Sequence, residues 1–121
     1  MDKQLQENMP IYMQIMQKVR EAIASGELAP GVRVASVREF AGVFAVNPNT
    51  MQRALTQLEQ DGLLISKGTA GRFVTEDQEI LRAARQNAAD ELIESFLQGC
   101  RQMGFGKDEI IQMLKDKEGI L

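Results

Sequence analysis

The stretch from Ser36 to Leu55, SVREFAGVFAVNPNTMQRAL, constrains this chain more than any other. It reads as two short helices separated by a tight turn, the second opening on a polar tip. Ser36 with Glu39 three residues later forms a capping box, in which hydroxyl and carboxylate satisfy orphan backbone donors reciprocally. Val37, Phe40, Ala41 and Phe44 then give one apolar face at three- and four-residue spacing. Asn47-Pro48 restarts the chain, Asn being a favoured N-cap and Pro preset for the first helical position. From there Met51, Ala54, Leu55 and Leu58 face inward and Asn49, Gln52, Arg53, Thr56 and Gln57 outward. That is the pattern of a helix-turn-helix, whose second helix enters the DNA major groove. A polar outer face without acids suits the reading of base edges.

The flanks extend the unit. Leu63 to Val74, LLISKGTAGRFV, is an apolar run, a Gly-rich turn and a second short apolar strand, which together signal a hairpin. Lys67 and Arg72 place positive charge on either side of its tip, where it can meet a phosphate backbone. A hairpin directly after the second helix makes a winged helix. Upstream, Ile11, Ile15, Val19 and Ile23 recur every four residues beside Tyr12, Met16 and Ala22, so an amphipathic helix ending near Gly26 is expected to cover the back of the pair. Pro30-Gly31 marks the turn between this helix and the next element.

Composition bounds the rest. A chain of 121 residues permits one compact domain plus a small appendage. No 18-residue apolar run or charged-then-apolar leader occurs, so neither a membrane span nor a secretory signal is expected. The lone Cys100 has no internal disulfide partner, which suits a reduced cytoplasmic setting, and it reads as a small core residue on a helix. Most methionines (Met9, Met13, Met16, Met51, Met103 and Met113) fall on apolar helix faces and read as ordinary core. The formal net charge of −3 divides unevenly. Residues 1–75 hold eight Lys/Arg against seven Asp/Glu, whereas residues 76–121 hold six against ten, so the acidity lies in the C-terminal segment. Affinity from phosphate neutralisation is therefore expected to be moderate.

No catalytic residues are expected. The absence of His removes histidine general-base and His-ligated metal sites, and Gly68-Thr69-Ala70-Gly71 lacks the Lys-Ser/Thr of a P-loop. Neither a metal nor another cofactor is indicated.

The C-terminal segment carries its own signal. Acids at Glu76 and Asp77 suit a helix start. Ile80, Leu81, Ala84, Ala88, Leu92, Ile93, Phe96, Leu97, Cys100 and Met103 then keep a helical period for over six turns. Gly104 and Gly106 break it, and Lys107 to Lys117 form a second short helix with Ile110, Ile111, Met113 and Leu114 apolar. Two helices cannot bury that surface on each other alone. They either dock on the winged helix or, the favoured reading, meet a second copy, because two-fold operators are read by symmetric dimers.

Four motifs in order, PIYMQI, SGELAPGVRVASVREFA, NPNTMQRALTQLEQDGLL and GRFV, resemble the winged-helix domain of the GntR family of transcriptional regulators over about residues 10–74. The Asn-Pro-Asn-Thr start and short C-terminal part are most similar to the small YtrA-type branch. The resemblance implies a mainly α fold with a small β-hairpin, a winged helix-turn-helix over residues 1–75 and a two-helix dimerisation segment over 76–121. It implies DNA contacts by Arg38 from the first helix of the motif and by Asn49, Thr50, Gln52 and Arg53 from the recognition helix, with the Gly71-containing wing reaching the minor groove. Ser36, Asn47, Lys67 and Arg72 complete the expected DNA-binding set, and Leu92, Phe96, Leu97, Ile111 and Leu114 the expected dimer seam. Some positions depart from the family pattern: Ala35 stands in place of Pro, Asn47 of a small hydroxyl residue, Pro48 of a frequently DNA-contacting Arg, and Gly68 and Thr69 of Arg and Gly. The operator sequence therefore does not carry over. Larger relatives have an effector-binding domain after the wing, whereas 46 residues follow here from Glu76, and no small-molecule effector is identified. The expected function is a sequence-specific regulator, a repressor, that binds an inverted-repeat operator on double-stranded DNA as a homodimer. The alternative is a winged-helix module for protein contact, which the absence of aromatic or Leu anchors on the outward face of 49–57 argues against.

Overall fold

The computed structural model describes residues 9–117 and Gly119, so the outermost residues of both expected segments (1–8, 118, 120 and 121) lie outside the described residues. Helix α1 spans Ile11–Ala24, α2 Val37–Phe44 and α3 Pro48–Gln60. Strands β1 (Leu64–Ser66) and β2 (Arg72–Val74) follow, then α4 (Gln78–Gln102) and α5 (Lys107–Lys115). The chain divides into two compact units, Met1–Ala88 and Ala89–Leu121, with the boundary inside α4.

The first unit is the winged helix. In α1 the buried residues are Ile15, Met16, Val19 and Ile23, but Ile11 is 56% exposed. A row of residues every four positions advances about 40° round the helix per step. Ile11 thus sits about a third of a turn from Ile23, and the expected stripe leaves the core at its first member. In α2 only Ala41 is fully buried, while Val37, Phe40 and Phe44 pack partly exposed against the core. Ala45 ends this helix with φ 56°, the one left-handed non-glycine residue among those described. That geometry lets the Val46 N–H reach the Ala41 carbonyl at 3.0 Å and makes the tight turn. In α3, Met51, Ala54, Leu55 and Leu58 are completely buried, as the 3.6-residue period demands.

β1 and β2 pair antiparallel with Leu64 opposite Val74, Ile65 opposite Phe73 and Ser66 opposite Arg72; a single 3₁₀ turn, Gly68–Ala70, closes the tip. The turn segment after α1 does more than reverse the chain. Gly31 N–H donates to Val74 O, Val74 N–H to Val32 O, and Val34 N–H to Arg72 O, each at 2.9 Å. Residues 31–34 therefore lie along the outer edge of β2 and cover what would be a bare edge strand.

The core of this unit does not stop at the wing. Leu81 is buried with the helices and hairpin, and Ile80 and Ala84 pack against the same cluster. The first compact unit accordingly extends to Ala88. Thr75 and Asp77 prepare this extension. Buried Thr75 donates its N–H to Leu63 O, and the Asp77 carboxylate accepts from Glu79 and Ile80 N–H at 2.9 and 3.3 Å, capping α4.

The second unit holds the rest of α4 and α5. Gly104, with φ +89°, follows the end of α4, and Phe105 N–H returns to Cys100 O at 3.1 Å. Glu109 accepts from Gly106 N–H at 3.0 Å, half of a capping box whose other half glycine lacks. Cys100, a free thiol, and Ile110 are the only fully buried side chains described in this unit. Met103, expected as core, is 72% exposed, and in the first unit Met13 is exposed too, whereas Met16 and Met51 are buried.

Candidate nucleic-acid interface

The interface begins with two helix starts. At α2 the Ser36 hydroxyl accepts from Glu39 N–H at 3.2 Å and the Glu39 carboxylate accepts from Ser36 N–H at 3.1 Å, completing the capping box. The backbone N–H of Ser36 first, then its hydroxyl and the nearby Arg33 charge, hold the Glu39 carboxyl below the usual carboxylate range. At α3 the Asn47 side chain accepts from Asn49 N–H at 2.8 Å, and Pro48 occupies the first helical position. Ser36 and Asn47 thus both serve as caps on surfaces that remain exposed.

Along α3 the buried row fixes the orientation of the opposite row. Asn49, Gln52 and Arg53 are exposed, while Thr50, Thr56 and Gln57 are half-buried. The Gln52 amide donates to the Thr56 hydroxyl one turn on, at 3.1 Å, which holds it along the helix surface. Arg53 behaves differently. Its guanidinium carbon lies 3.8 Å from the centroid of the Tyr12 ring on α1.

In the wing the expected cations have partners. Lys67 Nζ sits 4.7 Å over the Phe73 ring, and Arg72 forms a half-buried ion pair with Glu59 of α3. Arg72 therefore ties the hairpin to the recognition helix. A residue absent from the expected set, Arg33, stands at the tip. Its Nε donates to Ala70 O at 3.1 Å, and it lies so close to Gly71 that a Cβ there would meet Nε at 3.0 Å. Gly71, with φ +104°, is thus favoured by a backbone conformation that other residues rarely adopt, and any side chain there would also press on Arg33. The guanidinium strut spans 37 positions of sequence, so no local pattern could have signalled it. A groove of about 450 Å³ runs between wing and α2, lined among others by Arg33, Ser36, Arg38, Gly68, Gly71 and Arg72. Arg38 is exposed beside it. The groove brings the α2 start and the wing tip, separated in sequence, into one cationic surface.

The residues expected in the dimer seam all belong to the second unit. Leu92 is 71% exposed and Phe96 and Ile111 are exposed as well, while Leu97 and Leu114 are half-buried. Ile93 and Met103 are exposed apolar residues of the same unit. Among the described residues no group of three or more His, Cys, Asp or Glu is placed to hold a metal ion, and no helix is long and apolar enough to cross a membrane.

Comparisons agree with this geometry. The family model for bacterial regulatory proteins of the gntR family matches residues 11–74. The HTH-type transcriptional regulator YhcF of Bacillus subtilis is 34% identical over 115 residues, covering 95% of each chain. The HTH-type transcriptional repressor YtrA of the same organism is 37% identical over 68 residues, 56% of this chain and 52% of its own length. Among solved structures, a GntR family transcriptional regulator from Listeria monocytogenes superposes with a TM-score of 0.77 at 33% identity, covering 90% of this chain and 96% of that one.

Proposed function

The chain belongs to the gntR family of bacterial regulatory proteins, and we propose that it works as a cytoplasmic repressor, a homodimer that reads an inverted-repeat operator. Its DNA-binding regulatory function follows from the family and from the winged helix-turn-helix on which the matched residues lie. The observation that carries the finer reading is the pairing of an acid-free recognition face on α3 with an apolar surface left open on the second unit. Asn49 and Gln52 read base edges, since amide side chains match the donor and acceptor pair of adenine. Arg38 and the wing residues Lys67 and Gly71 engage the backbone and minor groove, and Arg72 holds the wing to α3. Leu92, Phe96, Leu97, Ile111 and Leu114 supply the dimer seam.

Repression is supported by the name of the relative YtrA, a transcriptional repressor, and the relative YhcF is named a transcriptional regulator. Selection of duplexes from random sequence by the purified chain tests the reading. The expected product is an inverted repeat whose half-site centres are about 34 Å apart or a multiple of that. Asymmetric or unrelated sequences overturn the homodimer reading.

A further inference from the structure

The Tyr12–Arg53 stack assigns the recognition-helix arginine a role distinct from that of its neighbours. We infer that Tyr12 is a positioning residue that holds Arg53 for a DNA phosphate at the flank of the major groove, and that Arg53 does not read a base. The inference rests on the operator reading above.

Tyr12 lies in the first turn of α1, next to the buried Ile15 and Met16, and its ring is half-buried against the core. It is therefore a fixed platform. Arg53 is exposed on α3, the helix packed on α1, and its guanidinium carbon is 3.8 Å from the ring centroid, well inside the range of a cation–π contact. A guanidinium held over a ring face by a cation–π contact keeps N–H donors that point away from the ring, and its fork of donors matches phosphate oxygens. A base-reading arginine must instead project along the groove to a guanine edge. Asn49 and Gln52 remain for that task, one at the tip of α3 and the other braced by Thr56. The stack thus divides the row: amides read bases, and Arg53 supplies charge from a position set by α1. Tyr12 joins the interface without touching DNA.

The test compares the full chain with Arg53→Ala, Tyr12→Leu, Tyr12→Phe and the Arg53→Ala/Tyr12→Leu double variant, on the duplex selected by the parent. Arg53→Ala should weaken binding and lower the slope of log affinity against log salt by about 0.9 for each bound copy, while its own selection returns the parent's consensus. Tyr12→Leu should lose affinity about two- to fivefold, the scale of an exposed cation–π contact, and lower the slope in the same direction. Tyr12→Phe keeps a ring and should match the parent. The double variant should bind no worse than Arg53→Ala. A changed consensus for Arg53→Ala overturns the inference, because the residue then reads a base. So does an unaltered salt slope in that surface variant, whether or not Tyr12→Leu folds. A folded Tyr12→Leu that binds like the parent removes Tyr12 from the interface. If the parent itself selects no sequence, the operator reading fails, and this inference with it.

Discussion

The two compact units of this chain treat apolar side chains in opposite ways. In the winged helix, Met51, Leu55 and Leu58 lose all contact with solvent, and each buries against α1, α2 or the hairpin of the same chain. In the C-terminal unit the apolar residues at helical spacing, Leu92, Ile93, Phe96, Met103 and Ile111, stay at least 40% exposed. Leaving such side chains in water forfeits about 25 cal/mol for each Å² of apolar area that burial would remove. The difference teaches that the first unit buries its apolar side chains within one chain, whereas the second leaves several of its own exposed.

The largest expected effect breaks the open surface. Phe96→Asp should leave the winged helix folded by circular dichroism and yet dissociate the homodimer in light scattering. Operator affinity should fall about 10²- to 10⁴-fold, because the second half-site contact loses its effective concentration. A dimer that survives Phe96→Asp, or operator binding that does, refutes the seam. Leu58→Ala strikes the closed core instead. It should cost about 2–5 kcal/mol in denaturant unfolding, since the cavity has no route to solvent. A loss below about 1 kcal/mol would mean that the core is looser than its zero exposure indicates.

The smallest effect lies in pH. The carboxyl of Glu39 is held below the usual range by the Ser36 cap, so its charged form is favoured in the folded state. Its stabilising contribution is complete above the ordinary carboxylate range and fades as pH falls through the depressed folded value. Glu39→Gln keeps an acceptor for Ser36 N–H but cannot titrate. Thermal melts of the two proteins should therefore converge in acid and separate, with the parent higher, towards neutral pH. Parallel curves would exclude the cap as a source of acid sensitivity.

The legible features of this molecule are the local ones. Ser36 finds Glu39 three residues away, Asn47 finds Asn49 two residues away, and both caps could be read from spacing alone. The buried row of α3 follows from helical period, and the hairpin from a Gly-rich turn between apolar runs. Period alone misleads at Ile11, Met13 and Met103, which fall on apolar helix faces by spacing and are exposed in the structure. The wing as a charged tip was half of the picture: Arg72 proved to be paired with Glu59, and the strut at the tip came from Arg33, which no hairpin pattern includes.

Residue order by itself therefore determined the helices, their caps, the hairpin and the acid-free face of α3, because each depends on neighbours within about one or two helical turns. Tertiary structure alone decided which cations are engaged and by what. Tyr12 meets Arg53 across 41 positions, Arg33 meets Ala70 across 37, and Leu81 joins a core whose first members lie on α1. Such contacts arise only when separate elements pack, and no periodicity within either partner encodes the distance between them. The same holds for the limit of the first unit: Leu81 of α4 is buried in its core with Ile80 and Ala84 packed against the same cluster, while Leu92, Ile93 and Phe96 further along the helix are exposed.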